Sequence, residues 1–206
     1  MTRTPAFIAL LLTTLLSGCS ILPKSEPLNV YRLPAAPFER YTGTGQTAWT
    51  LQVDRPQSSQ TLDSTRIAVL PQGNEISAYK GARWSDRAPQ LLRDRIIAGM
   101  LDDGRIRAVS SDDNRLQTDL QLSSDLRAFQ SEYYAGKPQA HVVLDVRLVR
   151  RDSQTILEQK RFEVREDAAD TSVPAVVSAF GKASDQLTRE VMAWSLKQGQ
   201  SKALRP

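Results

Sequence analysis

The sequence predicts a single α+β domain, a mixed, largely antiparallel sheet with two main helices packed on one face. Three observations predict it. Segments starting near Leu116, Val142 and Ile156 alternate apolar and polar residues, the period of strands with one wet side. Segments around Leu92 and Phe180 repeat apolar residues every three to four positions, the period of an amphipathic helix. Setting aside the first 18 of the 206 residues leaves 188, which suits one domain of ordinary size with a core of its own.

The elements follow in order. Residues 20–28 carry Pro23 and Pro27 among polar residues, a composition that stays extended, so residues 19–28 read as a tether of at most about 30 Å. Val30-Tyr31-Arg32-Leu33 reads as a first strand. Residues 34–47, with Pro37, Gly43 and Gly45, read as a long, weakly ordered loop. Trp49-Thr50-Leu51-Gln52-Val53 alternates as a half-buried strand. Arg66-Ile67-Ala68-Val69-Leu70 is a denser apolar run suited to a central strand, and Pro71-Gln72-Gly73-Asn74 turns it into Glu75-Ile76-Ser77-Ala78-Tyr79.

A helix is expected next, capped by Ser85 or Asp86, with Pro89 in its first turn. Leu92, Ile96 and Met100 form its stripe, widened by Leu91, Ile97 and Leu101, and Gly104 supplies the exit. Ile106-Arg107-Ala108-Val109 reads as a short strand. The three alternating segments then form a meander. Its connections, Tyr134-Ala135-Gly136-Lys137-Pro138 and Arg151-Asp152-Ser153-Gln154, are short enough for hairpins. Val176, Phe180, Ala183, Leu187, Val191 and Trp194 line one face of a last helix entered through Ser172 and Pro174, while Ser178, Lys182, Asp185, Arg189 and Lys197 face elsewhere. The folded domain therefore spans residues 29–197, and the polar residues 198–206 are expected to be disordered.

The amino terminus carries the most specific signal. Arg3, an apolar run over residues 6–16, and then Leu16-Ser17-Gly18-Cys19 have the layout of a secretory signal, residues 1–18, cut between Gly18 and Cys19. The run is too short for a stable transmembrane helix, which needs about 20 apolar residues. The four residues resemble the bacterial lipobox, which implies that the Cys19 sulfur receives a diacylglycerol and the new amine an acyl chain. At about 0.8 kcal/mol per buried methylene, several chains would hold the protein essentially permanently. Ser20 stands where an aspartate favours inner-membrane retention in two-membrane bacteria, so the expected location is the periplasmic face of the outer membrane.

Composition excludes several function classes. There are 27 Lys and Arg against 23 Asp and Glu, a formal charge of +4, with both signs interleaved as in Arg93-Asp94-Arg95. No stripe suited to nucleic acid results. Cys19 is the single cysteine, so the domain has neither disulfide nor free thiol. His141 is the one histidine and reads as a satisfied or exposed strand residue. The pairs Asp102-Asp103 and Asp112-Asp113 fall at turns, and Gly43-x-Gly45 lacks the following helix and phosphate motif. No catalytic residue, metal ligand or cofactor is expected. The candidate contact residues are aromatic: Tyr133 and Tyr134, in what reads as an exposed turn over residues 129–134, and Trp84, whose alternative is a core plug beside the helix start.

Several local strings resemble the ABC-type transport auxiliary lipoprotein family, the PqiC-like lipoproteins, from about Asn29 to Trp194. The strings are Val30-Tyr31-Arg32-Leu33, Leu51-Gln52-Val53 with Pro56, Leu62-Asp63-Ser64-Thr65-Arg66-Ile67-Ala68-Val69-Leu70, Asn74-Glu75-Ile76-Ser77-Ala78-Tyr79 and Gly81-Ala82-Arg83-Trp84, with Pro89, Leu92 and Gly104 placed as the family's first helix requires. Ile106 stands where relatives usually carry an aromatic residue. The resemblance implies a non-catalytic component of a transport system with periplasmic MCE-domain proteins and an inner-membrane transport complex as partners, moving lipids between membranes. It also implies a possible homo-oligomer, although no motif sets a subunit number. The second reading is an assembly factor or structural lipoprotein for an outer-membrane complex.

Overall fold

The computed structural model describes residues 27–202. Its order is β1 (Asn29–Tyr31), β2 (Leu51–Val53), β3 (Gln57–Ser58), β4 (Arg66–Gln72), β5 (Glu75–Trp84), α1 (Ala88–Asp103), β6 (Val109–Ser111), a 3-10 turn (Asp112–Asn114), β7 (Leu120–Tyr134), β8 (Lys137–Arg150), β9 (Thr155–Asp167) and α2 (Val173–Lys202). The described residues form one mixed nine-stranded sheet, and the expected α+β class holds.

β7 organises the sheet. One edge pairs antiparallel with β8 along its length, from Leu120 opposite Arg150 to Tyr134 opposite Lys137, and β8 pairs antiparallel with β9, so the expected meander is present. Ala135 and Gly136 make the β7–β8 turn at φ 49° and 79°, the double positive φ of a tight hairpin. The other edge of β7 carries three short parallel strands in chain order: β2 on Leu120, Gln121 and Leu122, β3 on Asp125 and Leu126, and β4 on Gln130, Ser131 and Glu132. β5 returns antiparallel to β4, and β1 runs parallel to β5 with Asn29 opposite Ala82.

The inner face of β7 to β9 buries Leu122, Leu126, Phe129, Val142, Leu144, Phe162 and Val164 beneath the helices. The pairing shifts register between Leu126 and Ala128. Such a bulge turns the following residues over, so Phe129 rather than Ala128 enters the core. Residues 129–134 are therefore the end of a strand, not an exposed turn, and the hairpin tip is only Ala135 and Gly136.

In α1, Leu92, Ile96 and Met100 are buried as the spacing requires, whereas Leu101 is exposed. Neither Ser85 nor Asp86 caps it. Arg87 occupies the cap position without a side-chain bond, and the Ala88 amide instead donates to the Ser64 carbonyl at 3.3 Å. Gly104 closes the helix at φ 78°, its amide bonded to the Met100 carbonyl. The next strand starts at Val109, and Ile106 is buried just before it.

In α2, Val176, Phe180, Ala183, Leu187 and Val191 are fully buried and Trp194 nearly so. Ser172 holds the entry, its hydroxyl accepting from the Ala175 amide at 3.3 Å. The helix continues through Lys202 instead of ending at 197, because Gly199 lets its backbone lie directly on the Trp49 ring. No helix among the described residues is long and apolar enough to cross a membrane.

Candidate interaction surface

The outer face of β7 to β9 presents pairs of opposite charge. Asp145 on β8 accepts from Arg127 at 2.9 Å and from Arg161 at 2.6 and 2.8 Å, and Asp125 accepts from Arg147 at 2.6 Å. Hydrogen bonds from Arg161, opposed by burial and joined by Arg127, hold the Asp145 carboxyl at about 2. His141 lies between two carboxylates, with Nδ1 2.7 Å from Glu132 and Nε2 2.9 Å from Glu163. Burial works against the Glu132 charge, yet hydrogen bonds from His141, Arg165 and Gln130 keep that carboxyl at about 2. Both ring nitrogens are thus occupied, and they point to different glutamates, so the three groups do not converge on one centre. These bridges also lay charge along β9, which pairs only with β8 and would otherwise offer a long open edge.

The acidic pairs hold arginines. Asp112 and Asp113 grip the buried Arg93 at 2.7 and 2.8 Å, tying α1 to the 3-10 turn, and Asp103 grips Arg105 at 2.7 and 2.8 Å. Asp102 accepts from the Phe38 amide. Among the described residues no group of three or more His, Cys, Asp or Glu could hold a metal ion. One cleft, about 260 Å³, is lined by Trp49, Thr118, Asp119, Arg150 and Asp152 among others, and Asp119 in it is already bonded to the Thr50 amide and hydroxyl at 2.7 and 2.8 Å.

The three aromatic candidates are not brought together. Trp84 is 1% exposed and meets Phe129 and Phe180 edge-on at 5.9 and 5.3 Å, while those two rings stack at 4.8 Å. It is the core plug, and it presents no surface in this fold. Tyr133 and Tyr134 are successive strand residues and so point to opposite faces. Tyr133, 37% exposed, leans against Tyr79, whose hydroxyl bonds Ser131 at 3.1 Å and whose pKa burial pushes up to about 12. Tyr134 stands furthest into solvent, at 74% exposure. Gly18 and Cys19 lie outside the described residues.

Residues 34–47, expected as a weakly ordered loop, form a strap across both helices. Pro34 packs on Gly181. The Ala36 amide donates to Asp185 at 3.1 Å, and Arg95 donates to Asp185 and to the Ala36 carbonyl, each at 2.5 Å. Phe38 lies 4.3 Å beneath the Arg95 guanidinium. Further along, the Tyr41 amide donates to the Asp103 carbonyl and the Thr47 amide to that of Arg105. Asp185 is therefore buried rather than facing away. The signal for this clasp was a charge beside the buried stripe of each helix, Arg95 next to Ile96 and Asp185 two positions from Ala183, since a buried charge needs a partner.

Residues 31–192 match a family described as the ABC-type transport auxiliary lipoprotein component. The chain is also similar to protein XCC0632 from Xanthomonas campestris, at 29% identity and a TM-score of 0.80, covering 86% of this chain and 99% of that one. A second solved structure, of an uncharacterized protein, shares the fold at 13% identity and a TM-score of 0.64, covering 82% of this chain and 99% of that one. None of the curated proteins searched matches. With more than three quarters of its length inside the matched region, this chain belongs to the ABC-type transport auxiliary lipoprotein family.

Proposed function

We propose that the protein is a non-catalytic auxiliary component of an ABC/MCE-type system for intermembrane lipid transport, anchored through Cys19 to the periplasmic face of the outer membrane. The observation that carries this reading is the family match, which starts twelve residues after a cysteine in lipobox context. The chemistry of the surface supports it. His141, Asp102, Asp103, Asp112 and Asp113 are each committed to an internal partner, so none of these candidates is a free acid or base. A rigid body of this kind acts by holding or guiding other proteins. MCE-domain periplasmic proteins and the inner-membrane transport complex are its partners in this reading, and no cofactor is required.

Crosslinking in intact envelopes, with the lipidated protein as bait, tests the proposal. The expected catch is an MCE-domain protein together with permease and ATPase subunits. Capture of an outer-membrane β-barrel without them would favour an assembly role instead. Turnover of a small substrate by the purified protein, lost on changing one polar residue, would overturn the non-catalytic reading.

A further inference from the structure

The orientation of the body on its membrane follows from where the described chain begins. β1 is parallel to β5, so traced backward from Asn29 the chain heads toward the start of β5, the β4–β5 hairpin. The Pro27 carbonyl lies beside Gly81. The β7–β8 hairpin is at the same end, because β4 and β7 run parallel, with Leu70 opposite Glu132. From the level of Gly81 to either tip is about seven residues of strand, roughly 23 Å at about 3.3 Å each. Cys19 precedes Pro27 by eight residues, a reach of at most about 28 Å. The opposite end of the sheet, at Leu120, lies about nine strand residues below the Gly81 level, roughly 30 Å away. To approach it the tether would also have to reverse at once.

The chemistry of the two tips agrees with this direction. Tyr134 is 74% exposed on the β7–β8 hairpin, and Ile76, just past the β4–β5 turn, is 42% exposed. Lys137 lies directly across from Tyr134. An amphipathic ring beside a lysine, with the aliphatic Ile76 on the neighbouring tip, suits the boundary between headgroups and acyl chains. Leu116 and Ile156 are exposed too, but they flank the starts of β7 and β9, at the far end.

We propose that the two hairpin tips, with Tyr134 and Ile76 foremost, are the face that rests on the membrane holding the anchor, which leaves the Leu116 and Ile156 end pointing away from it. This rests on the acylation of Cys19 proposed above. It moves Tyr134 from a contact with a protein partner to a contact with lipid headgroups.

Because acylation consumes the single native cysteine, introduced cysteines can be labelled one at a time. The full lipidated chain carrying Ile76→Cys, Tyr134→Cys, Leu116→Cys or Ile156→Cys, each with an environment-sensitive fluorophore, is reconstituted on vesicles of phosphatidylethanolamine and phosphatidylglycerol containing brominated lipid. The expected result is quenching several-fold stronger at 76 and 134 than at 116 and 156. Equal quenching at all four sites, or stronger quenching at 116 and 156, overturns the orientation. Labels at 76 and 134 that stay unquenched on floating vesicles and become shielded only on adding an MCE-domain partner assign the tips to protein and also overturn it. Protein that does not float with the vesicles removes the anchor, and the inference with it. That failure is separate from a floating protein whose labels report the wrong end.

Discussion

Replacing Asp185 with alanine tests the clasp that fixes the strap to the helices. The Arg95 and Asp185 side chains are 6% and 8% exposed, so the substitution leaves a guanidinium shielded from water beside the Ala36 carbonyl and the Phe38 ring, without its carboxylate. It also strips the Ala36 amide of its acceptor. Breaking one side of a buried pair costs about 3–5 kcal/mol. At roughly 2–4 °C per kcal/mol for a domain of this size, Tm should fall by about 6–20 °C. Urea denaturation followed by circular dichroism gives the free energy, and hydrogen exchange locates it, with faster exchange expected at the amides of Ala36 and Tyr41. The double variant Arg95→Met with Asp185→Leu should recover most of the loss, since it removes both charges together. A loss below about 1 kcal/mol for Asp185→Ala, with exchange along the strap unchanged, would refute the clasp.

Four further outcomes are expected. Trp84→Ala opens a cavity against Phe129 and Phe180 and should cost about 3–5 kcal/mol in the same denaturation assay. Tyr134→Ser should stay within about 0.5 kcal/mol of the parent, and equal effects would contradict the assignment of one ring to the core and the other to the surface. Gly199→Ala should destabilise by about 1–3 kcal/mol although alanine is the better helix former, because the added methyl meets the Trp49 ring. A gain in stability would mean that the last turns of α2 do not pack there. Glu132 and Asp145 are held at about 2 in the folded chain, below their ordinary values of 4.5 and 3.8. Their contribution is complete above about pH 4.5 and is lost as the pH falls toward 2. The urea midpoint should drop across that window, less steeply in Glu132→Gln, and an identical slope in that variant would contradict the role of Glu132.

Local periodicity carried the long elements. The α2 stripe from Val176 to Trp194 and the alternation of β7 up to Leu126 depend only on neighbours along one chain segment, so they were readable. The bulge after Leu126 breaks the alternation, so the second half of β7 reads in the sequence as an aromatic turn although Phe129 is a core residue. The parallel docking of β2, β3 and β4 on β7 was not readable either, because strands of two to seven residues carry no mark of a distant partner. The cap of α1 comes from the Ser64 carbonyl, a backbone group that residue types cannot reveal. Aromatic character made Trp84 and Tyr134 look alike as contact residues, and only the tertiary fold separates them. The strap was concealed by its own composition. Prolines and glycines suggest a loose loop, but here Pro34 fits over Gly181 and the order comes from Arg95 and Asp185, far away in sequence.

The central claim, that this body is tied to a membrane through its one cysteine, is tested most directly by mass spectrometry of the mature amino terminus isolated from cell envelopes. The account predicts a peptide that begins at Cys19 and carries a diacylglycerol on sulfur and an acyl chain on the amine. An unmodified peptide beginning at another residue would contradict it.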